Sequence, residues 1–178
     1  MSKRSDEAAP STADAPAGAC GLYCGVCGVY LATREDPERL AHIAGMMGQM
    51  VEETSCDGCG SPNLTKYCLT CRLVACAHER GCEFCVECSD FPCSDLEAFG
   101  KEWPHRAEIL PNLRRIAEIG CDRWAQEVLA RHACSECGTV NSACFVKCRG
   151  CGHEPSCDFV FEHLEEVRAS ALRTRLDT

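Results

Sequence analysis

No apolar run in this chain of 178 residues approaches the roughly 20 residues that a membrane-spanning helix needs, so no span is predicted. A secretory signal is lacking too. Behind Lys3 and Arg4, the stretch MSKRSDEAAPSTADAPAG is interrupted by Asp6, Glu7, Pro10, Asp14 and Pro16 and never forms a continuous apolar segment. A cytoplasmic protein is therefore expected. Basic residues are in the minority, 18 Lys and Arg against 27 Asp and Glu, for a formal net charge of −9. General affinity for nucleic acid rests on cations that neutralise phosphates, and this balance argues against it.

Cysteine is what the chain has in excess. Nineteen of the 178 residues are Cys, a density that signals either a secreted disulfide scaffold or a set of metal sites. In a reducing cytosol disulfides are rare, which points to metal. An odd number also cannot pair off completely within one chain. A Zn2+ ion held by four thiolates is itself net negative, so metal binding adds to the acidity.

Along the chain, residues 1–18 are rich in Ala, Pro, Ser and acid, and read as a disordered tail. Residues 19–100 form a Cys-rich metal-binding domain, 101–132 a helical spacer, 133–157 a zinc-ribbon-like module and 158–178 a C-terminal helix. Asp36 and Pro37 look like an N-cap followed by proline at the first helical position. Leu40, Ile43, Ala44, Met47 and Val51 then recur at helical spacing, predicting one helix of about four turns whose Met46, Met47 and Met50 serve as core packing. Ser94 to Glu97 reads as a capping box opening a helix that stops near Gly100. A helix over Pro111 to Ile119 should bury Leu113, Ile116 and Ala117 and end at Gly120. Asp122 should cap the next, which carries Trp124, Val128 and Leu129. Asp158 should cap the last, with Val160, Leu164, Val167 and Ala171 on one face.

One short unit recurs: CGVCG at 24–28, CDGCG at 56–60, CSECG at 134–138 and CRGCG at 148–152. Two thiolates three positions apart grip one ion from a tight turn, and the glycine supplies a left-handed backbone while amides point at sulfur. Cys134, Cys137, Cys148 and Cys151 give C-x2-C-x10-C-x2-C, the spacing of a two-knuckle zinc ribbon. Cys144 complicates that choice, because with Cys148 and Cys151 it repeats C-x3-C-x2-C. Cys56, Cys59, Cys68 and Cys71 make a second plausible tetrahedral set. Cys20, Cys24, Cys27, Cys76, Cys82, Cys85, Cys88 and Cys93 suffice for two more, in a partition that spacing does not reveal. Cys121 and Cys157 look like spare, buried thiols.

Iron is the rival to zinc wherever all ligands are thiolates. CEFCVECSDFPC matches a bacterial ferredoxin run at Cys82, Cys85 and Cys88, but four residues precede Cys93 and Pro92 stands before that cysteine. CGLYCGVC shares its C-x3-C-x2-C spacing with radical-SAM enzymes. Val26 replaces the aromatic they usually place before the third cysteine, and no strand-helix alternation supplies their barrel. His78 and His153 follow Cys76 and Cys151 by two residues and read as bystanders rather than ligands. A Cys-His nucleophile is formally possible, yet no residue is singled out for it. In Trp103-Pro104-His105-Arg106, packing of the tryptophan is the expected role.

Taken together, CGLYCGVCGVYLAT, CDGCG, YCLTCRLVACAHERGCEFCVECSDFPCSDLEAF and NLRRIAEIG resemble the cysteine-rich domain-of-unknown-function 3795 family of anaerobic bacteria and archaea, over roughly residues 20–120. The resemblance implies metal-binding roles for Cys20, Cys24, Cys27, Cys56, Cys59, Cys68, Cys71, Cys76, Cys85, Cys88 and Cys93, zinc as the metal and an anaerobic host. At Cys82 the family would place an aliphatic residue. The C-terminal ribbon is similar to a module appended to some relatives.

The expectation is a small, irregular, α-rich (α+β) protein with short helices around Cys knuckles, stapled by three or four Zn2+ sites. Its role would be that of an interaction module or accessory subunit for a protein partner. The alternative is an electron-transfer subunit carrying [4Fe-4S] clusters. No open coordination position or general base stands out, and no enzyme is predicted.

Overall fold

The structure is a computed structural model that describes residues 14–176, with side chains to residue 170. It is rich in helix and almost without strand. Among the described residues, β-structure is limited to two isolated antiparallel bridges, Ala17 with Tyr23 and Ala133 with Val140. The helices are α1 (Gly28–Glu35), α2 (Pro37–Met46), α3 (Val51–Thr54), α4 (Arg72–Arg80), α5 (Ser94–Glu102), α6 (Ile109–Ile119), α7 (Cys121–His132), α8 (Asp158–Glu162) and α9 (Leu164–Leu176).

Cysteines open many of these elements. Cys24–Val26, Cys68–Thr70 and Cys85–Glu87 are 3-10 turns, each closed by the amide of the next cysteine on the carbonyl of the first: Cys27 to Cys24 at 2.9 Å, and Cys71 to Cys68 and Cys88 to Cys85 at 3.2 Å. Cys27, Cys71, Cys93 and Cys157 then occupy the N-cap positions of α1, α4, α5 and α8. A thiolate is favoured at the positive end of a helix. The repeated C-x2-C unit thus both turns the chain and launches the following helix.

The main core gathers Trp124 and Ala125 of α7, Ile109, Leu113 and Ile116 of α6, Leu96 of α5 and Leu73 of α4 around Tyr23, Tyr30 and Phe84. Trp124 donates from Nε1 to Asn112 Oδ1 at 3.3 Å, and its ring meets Tyr23 edge-on at 5.8 Å. A second cluster, Ala32, Leu40 and Ile43, is covered by Phe145 from the C-terminal part of the chain. A third packs Ala143, Cys157, Phe159 and Val160. Apolar burial therefore reaches into the Cys-rich stretch through Leu73, Ala77, Phe84 and Leu96.

Several expectations need correction. The helix after Asp36 does begin at Pro37, with Asp36 Oδ1 accepting from the Arg39 amide at 3.0 Å. It ends at Met46, because Gly48 turns left-handed (φ 61°), and α3 starts afresh at Val51. Met46 packs against the second cluster, but Met47 and Met50 are 41% and 63% exposed. The Ser94 capping box does not form: Cys93 is the N-cap, and the helix runs through Gly100 to Glu102. α6 starts two residues before Pro111 and leaves Ala117 exposed. Asp122 is the second residue of α7 and Asp158 the first of α8, whose N-caps are Gly120 and Cys157. The last helix is broken at His163 into α8 and α9, and Ala171 lies outside the described side chains.

Residues 1–13 of the expected tail lie outside the described residues. Residues 14–18 pack onto the core. The Pro16 carbonyl accepts from the Cys24 amide at 3.0 Å, the Gly18 amide donates to Leu22 at 2.7 Å, and Ala15 is buried. Pro16 sits over Gly58, where a Cβ would overlap its ring. Composition concealed this, because Ala, Pro and Gly pack against a neighbouring loop with no long apolar side chain to advertise it.

Candidate metal centre

Cys134, Cys137, Cys148 and Cys151 bring their four sulfurs within 4.8 Å of one another. Two knuckles of the same construction hold them. In each, the glycine after the second cysteine turns left-handed, Gly138 at φ 72° and Gly152 at φ 78°, and donates its amide to the first cysteine's carbonyl at 2.9 Å. The first cysteine's own amide returns to the residue beyond the glycine, Cys134 to Thr139 O at 2.9 Å and Cys148 to His153 O at 2.8 Å. His153 thus takes part through its carbonyl and is no member of the sulfur group.

Cys134 Sγ lies 3.7 Å from Cys151 Sγ, and Cys137 Sγ lies 3.6 Å from Cys148 Sγ. These are opposite edges of a tetrahedron. With metal–sulfur bonds of about 2.3 Å, a regular tetrahedron has edges of about 3.8 Å. The thiolate set therefore fits one four-coordinate ion.

Asn141 organises the second knuckle. It is 1% exposed and donates from Nδ2 to Thr139 O at 2.8 Å, Ser156 O at 3.0 Å and Cys148 Sγ at 3.5 Å. Its Oδ1 accepts from the Arg149 amide at 2.9 Å. Burial opposes ionisation of Cys148, but the amides of Cys151 and Gly150, together with Asn141 and Cys137, outweigh it and bring the thiol down to about 6. Thr139 lowers the neighbouring Cys137 thiol. Both shifts favour the thiolate, the form that binds metal, while the neighbouring sulfurs raise Cys151.

Cys144 stands apart from this group, with Sγ 3.7 Å from His105 Nδ1. Burial holds His105 down at about 4 and pushes Cys144 up to about 11. Near neutrality both are uncharged, unlike the thiolate–imidazolium pair of a Cys-His nucleophile. Arg106, and not Trp103, is the packed residue of its cluster: it is buried, stacks on Phe99 at 3.8 Å and donates to Tyr67 OH at 2.8 Å, while Trp103 is 40% exposed.

In the first Cys-rich stretch the set Cys56, Cys59, Cys68 and Cys71 is not gathered to the same distance. Among the described residues, no three of the cysteines from Cys20 to Cys93 lie within 4.8 Å of one another. Their neighbours are instead interleaved across the knuckles. The Cys59 amide donates to Cys24 Sγ at 3.3 Å, and the interaction between the two thiols lowers Cys59 while raising Cys24. Cys20 is pushed up to about 12, by burial first and then by Cys59, Cys71 and Cys85. Cys27 is raised by burial, with Cys56 and Cys68 adding to the effect.

Farther along, burial lifts Cys85 to about 11, with Cys93, Cys76, Cys88 and Cys82 nearby adding to it. Arg80 donates to Cys88 Sγ at 3.2 Å and to Asp90 at 2.6 Å. His78 is exposed on α4. Cys121 is half-buried against the main core and Cys157 is buried in the third cluster.

Glu108, Glu162 and His163 form the other close group, but a cation already serves it. Arg131 holds Glu108 at 2.6 and 2.7 Å and also pairs with Glu162. His163 Nε2 lies 3.2 Å from Glu108 Oε1. This is an ion-pair network joining α7 and α8 to the segment before α6.

Sequence reasoning missed Asn141, Arg106 and the role of cysteines as helix N-caps. The signal available for the last was a C-x2-C unit placed directly before an apolar helical period at Cys27 and Cys71. The left-handed glycine expected in all four CxxCG units occurs at Gly60, Gly138 and Gly152, whereas Gly28 begins α1 instead.

No helix among the described residues is long and apolar enough to cross a membrane. Neither a curated protein nor a solved structure matches the chain. A family match does exist. It begins at the packed Pro16 and stops inside α5, so the NLRRIAEIG segment falls beyond it: residues 16–98 match the model of the family described as protein of unknown function (DUF3795).

Proposed function

We propose that this chain is a cytosolic protein stapled by three or four thiolate-bound zinc ions, one of them in a zinc ribbon at residues 133–157. Its role is that of a structural interaction module or accessory subunit. The observation that carries this reading is the pair of opposite sulfur edges, 3.7 and 3.6 Å, at Cys134, Cys137, Cys148 and Cys151. Those edges match a single tetrahedral ion; a cluster of several metal atoms holds its thiolates farther apart. A closed set of four protein ligands with a satisfied surrounding is the pattern of a structural site, since a catalytic one keeps a position open. Bound zinc in small peptides supplies about 10–16 kcal/mol, enough to fix a module whose own apolar cluster is as small as Ala143, Cys157, Phe159 and Val160.

A protein partner is supported by Met47, Met50 and Val51, which leave 41%, 63% and 38% of their surface exposed around the α2–α3 turn. Adaptable methionines suit such a contact. The iron–sulfur alternative has no specific observation in its favour among the described residues.

The reading is tested by Cys134→Ala. Removing one ligand should release one metal ion, lower the melting temperature and open residues 133–157 to protease. Melting and proteolysis that match the parent would refute it.

A further inference from the structure

We propose that a metal ion at Cys134, Cys137, Cys148 and Cys151 fastens the chain to itself: with the ion bound, the loop between the two knuckles sits on α1 and α2 as a clasp, and loss of the ion uncovers that face. The clasp presupposes the metal-binding reading above. It names what the two-knuckle segment docks against and what controls the docking.

The loop, residues 138–147, lies in the C-terminal part of the chain, whereas α1 and α2 lie inside the segment that matches DUF3795. Phe145 covers Ala32, Leu40 and Ile43, with the Arg39 guanidinium stacked on its ring at 4.6 Å. Arg149, the residue after Cys148, pairs with Glu35 at 2.5 Å. At the start of α1 the approach is close: a Cβ on Gly28 would stand 3.1 Å from both Phe145 Cε2 and Ser142 Oγ. Each of these contacts comes from the loop or from the knuckle that ends it.

The knuckles shape the loop. Apart from the Ala133–Val140 bridge it carries neither helix nor strand. Its ends run into Cys137 and Cys148, whose sulfurs lie 3.6 Å apart. Arg149 Nε donates to the Val140 carbonyl at 2.7 Å and Ser156 Oγ to the Phe145 carbonyl at 2.6 Å, while Asn141 joins Thr139 and Ser156 to Cys148 Sγ. The groups that surround the sulfur therefore also aim Phe145 and Arg149 at α1 and α2.

One half-buried phenylalanine and one surface ion pair do not offset the conformational entropy lost in ordering such a loop. A bound ion does. Metal binding and docking are then linked, and each strengthens the other by the same factor. Loss of the ion bares the apolar side of α2, the helix capped by the exposed Met47, so the apolar surface of the chain follows its metal content.

The test is hydrogen–deuterium exchange of the full-length, metal-loaded chain, with metal counted by native mass spectrometry during titration with a competing chelator. The proteins are the parent, Cys134→Ala, and a variant combining Glu35→Gln with Arg39→Ala, which keeps every cysteine. Cys134→Ala should lose one ion and exchange about tenfold faster over residues 28–46, while α6 keeps the parent's rate. The Glu35 and Arg39 variant should keep its metal count. One of its ions, in a step that vanishes when Cys134→Ala is added, should leave at about fivefold less chelator than in the parent. Unchanged exchange over residues 28–46 in a Cys134→Ala chain that has lost its ion overturns the inference, and so does an equal rise over α6, which would report global loosening. An unchanged chelator titration of the Glu35 and Arg39 variant overturns it as well, because the linkage must run both ways. A Cys134→Ala chain with the parent's metal count refutes the metal-binding reading itself, and the clasp with it.

Discussion

Asn141 donates from Nδ2 to Cys148 Sγ at 3.5 Å while its other hydrogen bonds tie Thr139, Arg149 and Ser156 around it. One neutral amide therefore supports both the sulfur and the backbone that positions it. Asn141→Ala leaves buried backbone groups without partners, at an expected cost of about 2–4 kcal/mol. Urea denaturation of the metal-loaded protein measures this. A midpoint equal to the parent's would mean that the two-knuckle segment does not depend on Asn141.

Gly58 has φ 100°, and a Cβ there would overlap Pro16 and stand 3.3 Å from Tyr30 Cε2. Gly58→Ala should cost about 1–3 kcal/mol from the left-handed backbone alone, with a further steric penalty from Pro16. Adding Pro16→Ala should recover the steric part only. Melting temperatures of the single and double variants separate the two contributions, and equal melting of Gly58→Ala and the parent would contradict the packing of residues 14–18.

Trp124 fills the centre of the main core at 1% exposure. Trp124→Ala should cost about 3–5 kcal/mol. Trp124→Phe keeps most of the apolar contact and loses the bond to Asn112, a change of about 1 kcal/mol for the bond itself. Denaturant titration of both variants checks the order; a phenylalanine variant as unstable as the alanine one would show that the hydrogen bond, and not the ring, dominates.

His132 is buried against Phe159, their ring centroids 5.0 Å apart. Desolvation lowers its pKa despite the hydrogen-bonded Val128 carbonyl, which acts the other way. The unfolded chain binds a proton at an ordinary histidine pKa of about 6.5 while the folded chain stays neutral. Stability from this group is thus present above that pH and declines as the pH falls below it. His132→Asn should reduce the drop in melting temperature between pH 7 and pH 5. Acid loss of the metal proposed above would be common to both proteins and would cancel in the comparison. An unchanged drop would contradict the burial of a neutral His132.

The grouping of Cys134, Cys137, Cys148 and Cys151 was legible because it is local: two C-x2-C units lie close in sequence, and each folds back through its own glycine. The first stretch was not. There Cys59 turns to Cys24, and Gly28 meets Phe145 from the far end of the chain, relations that spacing along the sequence does not encode. Helix positions were legible wherever an apolar period ran without a break, as in α6 and α7. Their ends shifted where Gly48 or His163 interrupted the period, or where a cysteine took the N-cap from the expected Ser94 or Asp158. Asn141 carried no periodic or compositional signal, since its importance comes only from partners on both sides of the second knuckle.

The most direct measurement is the zinc, iron and labile sulfide content of the full-length protein purified without oxygen, together with its visible absorption. The account predicts a colourless protein with three or four zinc ions per chain and neither iron nor sulfide. A brown protein carrying iron and sulfide, or a folded protein with no bound metal, would contradict it.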